Sequence, residues 1–445
     1  MISFQKKPAV IALALGLFLI NQHSEASGSK HGPAGLYPSY EGLVMAGYQG
    51  WFRTPGDGSD SGFTHYGRGD RFDESHCSID MWPDVSEYEK TYETSFKYSN
   101  GTPARIFSSL DASTTDVHFR WMKEYGIDGV FMQRFFRVAR SRDMNKEGNI
   151  ILRNALEASK KNGRAIAVMY DLSGLKSSGE DCSAIITDWK ELVDQMKITS
   201  QGENQTYLYH DGKPMVAIWG LGFSDRSYDI RHIGFEKLLD FLQNDPEYGG
   251  CSIMLGVPAY FRQLTVDTNP DPYLHDLMRR ADVVMPWNPQ RYTPLLHNEM
   301  ERYTANVRDD LAWCDKNDIE YAACVYPGFS WYNLSKRKYG GRHPLDQIPR
   351  QKGRFYWGLI EGAAQAGAKM LYVAMFDEVD EGTAIFKCAP SPPQPGRTPQ
   401  FVGFEEGVPN DHYLWLTGQA GRLIRGEMSS SPEHYLRVDP KTRSN

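Results

Sequence analysis

The chain lacks the signatures of several common chemistries. None of its six cysteines (Cys77, Cys182, Cys251, Cys314, Cys324, Cys388) belongs to a C-x-x-C pair, which excludes thioredoxin-like redox motifs and ordinary zinc ribbons. No G-x-S-x-G, P-loop or H-E-x-x-H occurs, so a serine-hydrolase elbow, a phosphate cradle and a zinc-protease helix are absent. The net charge is −7 and no run of basic residues appears, which argues against nucleic acid as a partner. Repeats and low-complexity tracts are missing, apart from a proline-rich loop at Pro390–Pro399. The one long apolar run, Pro8–Ile20, is too short for a membrane-spanning helix.

That run has another reading. Lys6 and Lys7 precede it and Ser24-Glu25-Ala26 follows, the layout of a secretory signal peptide cleaved after Ala26. The expectation is an exported protein, secreted or periplasmic, that leaves the membrane after cleavage. Export permits disulfides, but six widely spaced cysteines do not choose a pairing, and Cys182, Cys251 and Cys324 lie in or beside apolar elements that also suit buried thiols. Asn100, Asn204 and Asn333 open glycosylation sequons.

Along the rest of the chain, apolar strands alternate with amphipathic helices. Strands are expected at Leu43–Phe52, Ile127–Phe136, Arg164–Tyr170, Met215–Trp219, Ser252–Val257, Asp282–Trp287, Ile319–Tyr326 and Met370–Phe376. Between and after them, helical spacing marks Ser113–Tyr125, Ile151–Lys161, Ser183–Met196, Ile230–Leu242, Pro272–Arg280, Glu301–Lys316, Gly353–Gln365 and His412–Arg425. A helix at Val85–Phe96 and a short extended piece at Ala104–Leu110 fall in a long polar passage after the first strand. Strands joined by helical crossovers are parallel, and eight of them suit a closed (β/α)8 barrel. The fold class is therefore α/β: one TIM barrel over 27–428 with a long insertion after its first strand, then a flexible tail, 429–445.

In such a barrel the chemistry sits at the C-terminal strand ends. Those ends carry Gln49, Trp51, Gln133, Arg134, Tyr170, Asp171, Trp219, Tyr260, Trp287, Asn288 and Tyr326. Aromatic rings and amides are the groups that stack on sugars and bind their hydroxyls. Trp51, Gln133, Arg134, Tyr170, Asp171, Trp219, Trp287 and Tyr326 are the candidate substrate-binding residues. In the first long loop, Asp57–Gly62 departs from the spacing of a calcium loop, while His65 is placed to fold over the barrel mouth.

The most informative stretch is Lys369–Phe386, KMLYVAMFDEVDEGTAIF. Its apolar run is a strand buried on both faces, and it ends in Asp377, Glu378, Asp380 and Glu381. Carboxylates so close raise one another's pKa, and a pair with split pKa values performs acid–base chemistry near neutrality. If the chain turns helically here, Glu378 and Glu381 share a face at roughly 5–6 Å between Cβ atoms. Glycosidic hydrolysis needs such a carboxyl pair.

Asp377-Glu378-Val379-Asp380-Glu381-Gly382-Thr383 resembles the N-E-W-H-E-G-T motif of glycoside hydrolase family 99, the endo-α-mannosidases. The barrel layout and the GIDGVFMQRF segment at Gly126–Phe135, which follows a W-M-K helix, are similar as well. The resemblance implies a retaining hydrolase in which Glu378 is the base acting on the sugar's own 2-hydroxyl and Glu381 the acid. Asp377, Val379 and Asp380 replace Asn, Trp and His of that motif. These departures weaken transfer of the mannoside specificity and bring in the looser group between families 71 and 99, α-glucanases and proteins labelled xylosidases or arabinosidases. The expected protein is a monomeric glycosidase for an α-linked oligosaccharide or polysaccharide, calling for neither metal nor organic cofactor. A carbohydrate-binding protein on the same barrel is the alternative.

Overall fold

The computed structural model describes residues 28–176, 179–199, 205–341, 343–393 and 400–437, so the expected signal peptide, Asn204 and the end of the tail lie outside the described residues. In chain order its elements are β1 (Val44–Tyr48), β2 (Tyr92–Lys97), β3 (Pro103–Ile106), α1 (Ala112–Tyr125), β4 (Gly129–Phe135), α2 (Phe136–Arg140), α3 (Arg142–Asn162), β5 (Ala165–Asp171) and α4 (Ser183–Glu191). There follow β6 (Tyr209–His210), β7 (Lys213–Trp219), α5 (Phe235–Asn244), β8 (Ser252–Pro258), α6 (Tyr273–Met278), β9 (Val283–Trp287) and α7 (Glu299–Lys316). The last are β10 (Glu320–Val325), α8 (Tyr332–Tyr339), α9 (Arg354–Ala366), β11 (Met370–Val373) and α10 (His412–Ile424).

β1, β4, β5, β7, β8, β9, β10 and β11 pair in parallel in that order, and β11 returns to β1 through Val44↔Leu371, closing the barrel. The (β/α)8 architecture is thus observed. Gly126 and Gly163 take left-handed conformations at the C-caps of α1 and α3, which is where the chain leaves each helix for the next strand.

The insertion differs from its expected form. Tyr92–Lys97 is a strand rather than the end of a helix, and it pairs antiparallel with β3 outside the barrel. The alternation of exposed and half-buried residues along YETSFK is the two-residue period of a strand, which competes with the helical spacing of the same stretch. Helix α3 is also longer than expected, because its first turns are polar and show no apolar period.

The lumen is filled in layers. Phe131 and Tyr372 face one another inside it at 5.8 Å between ring centroids, and Tyr40 closes below at 5.4 Å from Phe131. Gly47 makes this possible, since a Cβ there would lie 2.2 Å from the Tyr372 hydroxyl and 2.3 Å from Met375. All six cysteines are buried, and the structure draws no disulfide among them. Among the described residues no helix is long and apolar enough to cross a membrane. Residues 429–437 lie against the barrel, where the Trp357 indole donates to the Ser431 carbonyl at 2.8 Å.

Candidate active site

Beyond β11 the buried chain runs on to Phe376 and then reverses. The backbone N–H groups of Thr383 and Ala384 both donate to the Glu378 carbonyl, at 3.1 and 3.0 Å. This compact reversal replaces the expected single helical turn. Its shape is held from outside: Asp80 and Met81 of the insertion donate to the Val379 carbonyl (2.9 and 3.1 Å), and Ser330 donates to that of Glu381 (2.9 Å). The Arg350 guanidinium donates to the carbonyls of Gly382 (2.9 Å) and Ala384 (2.7 Å). Gly382 is required here, with φ at +64° and no room for a Cβ, which would sit 2.8 Å from the Ser330 nitrogen. A turn clamped by three separate segments gives the carboxylates on it a fixed geometry.

The four acids have distinct environments. Asp377 is fully buried and accepts the backbone N–H groups of Gln49 (2.8 Å) and Gly50 (2.9 Å), tying the last strand to the first. Burial lifts its pKa to about 7 against the pull of those donors. Glu378 is buried and receives the Gln49 side-chain amide at 2.9 Å and the Thr383 hydroxyl at 2.9 Å. Burial first, and then the negative charges of Glu381 and Asp380, push its pKa well above the usual carboxylate range. Asp380 is buried and lies 3.0 Å from Nδ1 of His65. Glu381 is half-buried, more exposed than Glu378.

His65 adopts a left-handed backbone conformation (φ 63°) and lies flat on Trp51, 3.7 Å apart and 7° from parallel. Trp51 is stacked on Phe135 as well, at 5.2 Å, so both faces of its indole are covered. Trp51 therefore carries His65 and is not itself an open platform for sugar.

The structure divides the other candidates by strand alternation. Gln133 faces the lumen, where its amide donates to the Tyr372 hydroxyl (3.1 Å) and the Met169 sulfur (3.0 Å). Trp219 and Trp287 meet edge to face at 5.2 Å, and Trp287 lies 6.4 Å from Tyr372. Asp171, the register partner of Trp219, is buried at the end of β5, where desolvation raises its pKa. Gln133, Trp287 and, through Trp287, Trp219 are linked at Tyr372, whose pKa the Glu378 charge helps to raise.

Arg134 and Tyr170 point the other way. Arg134 makes a two-pronged ion pair with Asp188 of α4, at 2.5 Å on both arms, and the Tyr170 hydroxyl donates to the same carboxylate at 2.8 Å. Both side chains join barrel to helix and leave the sugar-binding set. So does Tyr326, fully buried with its hydroxyl on the Tyr292 carbonyl at 2.6 Å. Asp57 spends its oxygens on Thr54, Ser59 and Ser108, the bonds of a loop anchor rather than a calcium site. Tyr372 and Thr383 were not among the candidates. The hydroxyl-bearing Tyr372 inside an apolar run and Thr383 within the E-G-T triplet are the signals that point to them.

No protein-family model and no curated protein matches the sequence. Among solved structures, two of the family 99 endo-α-mannosidase of Bacteroides thetaiotaomicron are similar. The structure with bis-tris propane has a TM-score of 0.59 and the other 0.60, each at 15% identity and covering 87% of this chain and 98% of that one. What this chain shares with that enzyme is the barrel fold over nearly the whole length of the mannosidase.

Proposed function

We propose that the protein is a glycoside hydrolase that cleaves α-linked glycosidic bonds in an oligosaccharide or polysaccharide, using Glu378 and Glu381. The observation that carries the reading is Glu378 itself: a carboxyl buried at the C-terminal end of the barrel, beside a second glutamate, paired with no arginine or lysine among the described residues, on a turn clamped from three sides. A carboxylate so raised accepts a proton more readily than an ordinary glutamate, which is what a general base requires. The motif resemblance gives Glu378 the role of base toward the sugar's 2-hydroxyl and Glu381 that of acid. Gln133, Asp171, Trp219 and Trp287 supply amide, carboxylate and ring edges for the sugar. The leader-like start of the sequence supports action outside the cytoplasm.

The test is proton NMR of the purified protein with α-mannans, α-glucans and arabinoxylan, beside Glu378→Gln and Glu381→Gln. New anomeric signals with the parent and none with either variant are expected. Substrates with activated leaving groups then assign the roles, because they restore turnover to the variant that lacks the acid. Sugar binding without turnover in the parent would favour the carbohydrate-binding alternative.

A further inference from the structure

A cavity of about 360 Å³ lies beside the barrel mouth, between the outer face of β4–β5 and helix α3. Its depth is apolar: Met132, Val168, Ile151 and Leu152 line it. Its rim is polar and aromatic, with Trp51, His65, Gln49 and the Arg53–Glu147 ion pair, whose closest approach is 3.2 Å. Folded interiors seldom leave voids larger than a water molecule. A cavity of about 150 Å³ lined by aliphatic and aromatic side chains already binds benzene. This one has room for a substituted ring.

Two rim residues connect it to the carboxylates. Gln49 lines the cavity and donates to Glu378, and His65 lines it and meets Asp380. A group seated in the cavity therefore lies next to a sugar held at Glu378. The ring stack Phe135–Trp51–His65 on the rim and the sulfurs of Met132 and Met144 favour an aromatic occupant, since thioethers pack well on ring edges. Met144, 40% exposed, stands at the entrance.

From this continuity we infer that the cavity is a binding site for an aromatic group carried by the glycoside, beside the sugar itself. The inference rests on the hydrolase reading for its substrate but not for its pocket, and the experiment separates the two. In the first arm, benzyl alcohol is titrated into methyl-labelled protein, with the methionine methyl signals followed by NMR. Met132 and Met144 are expected to shift, and Ile151→Trp, which fills the depth, or Met144→Trp, which plugs the exposed entrance, removes the shift. In the second arm, benzyl and methyl α-glycosides of mannose and glucose are compared, because their leaving alcohols are of closely similar acidity. The benzyl glycoside is expected to be favoured about tenfold, through KM, and both variants to abolish the preference while leaving methyl glycoside turnover unchanged.

Absence of methyl shifts at the solubility limit of benzyl alcohol overturns the site. Binding of the probe together with equal turnover of the two glycosides overturns its role in substrate recognition. Binding lost in both variants, with neither glycoside hydrolysed and no polysaccharide of the panel cleaved by the parent, leaves the aromatic site standing and removes the hydrolase reading.

Discussion

Two buried carboxylates at opposite faces of the same barrel wall show how differently this fold treats negative charge. Asp188, outside, is matched by the Arg134 guanidinium on two arms and by the hydroxyl of Tyr170 and the amide of Asn145. Glu378, inside, receives only an amide and a hydroxyl, with other carboxylates around it, and among the described residues no arginine or lysine pairs with it. The first arrangement neutralises charge and holds elements together. The second leaves at a strand end a carboxyl whose pKa burial and neighbouring like charges raise, an arrangement that costs stability. Burial alone does not distinguish the two; the presence of a cation does.

The largest expected effect breaks the comparison on its chemical side. Glu378→Gln and Glu381→Gln are each expected to lower turnover about 10²–10⁴-fold, the range of general acid–base catalysis. Glu378→Gln keeps both neighbours satisfied, since its oxygen accepts from Gln49 while its NH2 donates to the Thr383 hydroxyl. Its stability to urea is therefore expected to equal or exceed that of the parent. A Glu378→Gln protein that turns over normally would remove the distinction.

On the structural side, Asp188→Ala leaves the Arg134 charge buried and uncompensated, at a cost of about 3–5 kcal/mol. Urea unfolding reads that loss directly. KM of the protein that remains folded is expected to stay at the parent value, because Arg134 and Tyr170 face α4 and not the lumen. A raised KM with unchanged stability would return Arg134 to the sugar site.

Asp80 limits that distinction, since it is buried, pairs with no arginine or lysine among the described residues, and is still structural. Its oxygens are consumed by the Ser330 hydroxyl (2.6 Å) and the N–H groups of Tyr332 (2.7 Å) and Asn333 (2.8 Å), which anchors the insertion to the start of α8. Burial still raises its pKa to about 6 from 3.8. The folded protein thus binds this proton more tightly than the unfolded chain. The stabilisation is full below the unfolded value, near 4, and is lost as pH rises through about 6. A shift of that size corresponds to roughly 3 kcal/mol. Between pH 4 and pH 7, Asp80→Asn is expected to lose less stability than the parent by about that amount, though it starts lower for want of one acceptor. Equal slopes would mean that the proton is not held there.

The barrel was legible because its signal is repeated: eight apolar runs, each followed by helical spacing, outvote errors at any one of them. The acidic turn was legible because four carboxylates at a strand end are hard to explain by stability. The direction of single side chains was not. Gln133 and Arg134 are neighbours, and only the strand's register decides which of them enters the lumen, so a polar residue at a strand end carries only half of the information needed to place it. Trp51 shows a second limit, since its covered faces depend on His65 and Phe135, which arrive from farther along the same loop and from a different strand. The expected helical turn at Glu378 failed for a related reason: the segments that shape it, around Asp80, Ser330 and Arg350, are remote in sequence.

The smallest effect tests that lesson on one hydroxyl. Tyr326 stands at a strand end and has the chemistry of a sugar ligand, but its oxygen is bonded within the protein, donating to the Tyr292 carbonyl at 2.6 Å and accepting the Tyr292 N–H at 3.3 Å. Tyr326→Phe keeps the ring against Phe355 and removes only these bonds. The expected cost is about 0.5–1.5 kcal/mol of stability, with kcat and KM unchanged. A residue in contact with sugar would show the reverse, a raised KM with little loss of stability. The two outcomes separate a hydroxyl that joins the β9–α7 loop to the end of β10 from one that faces the substrate.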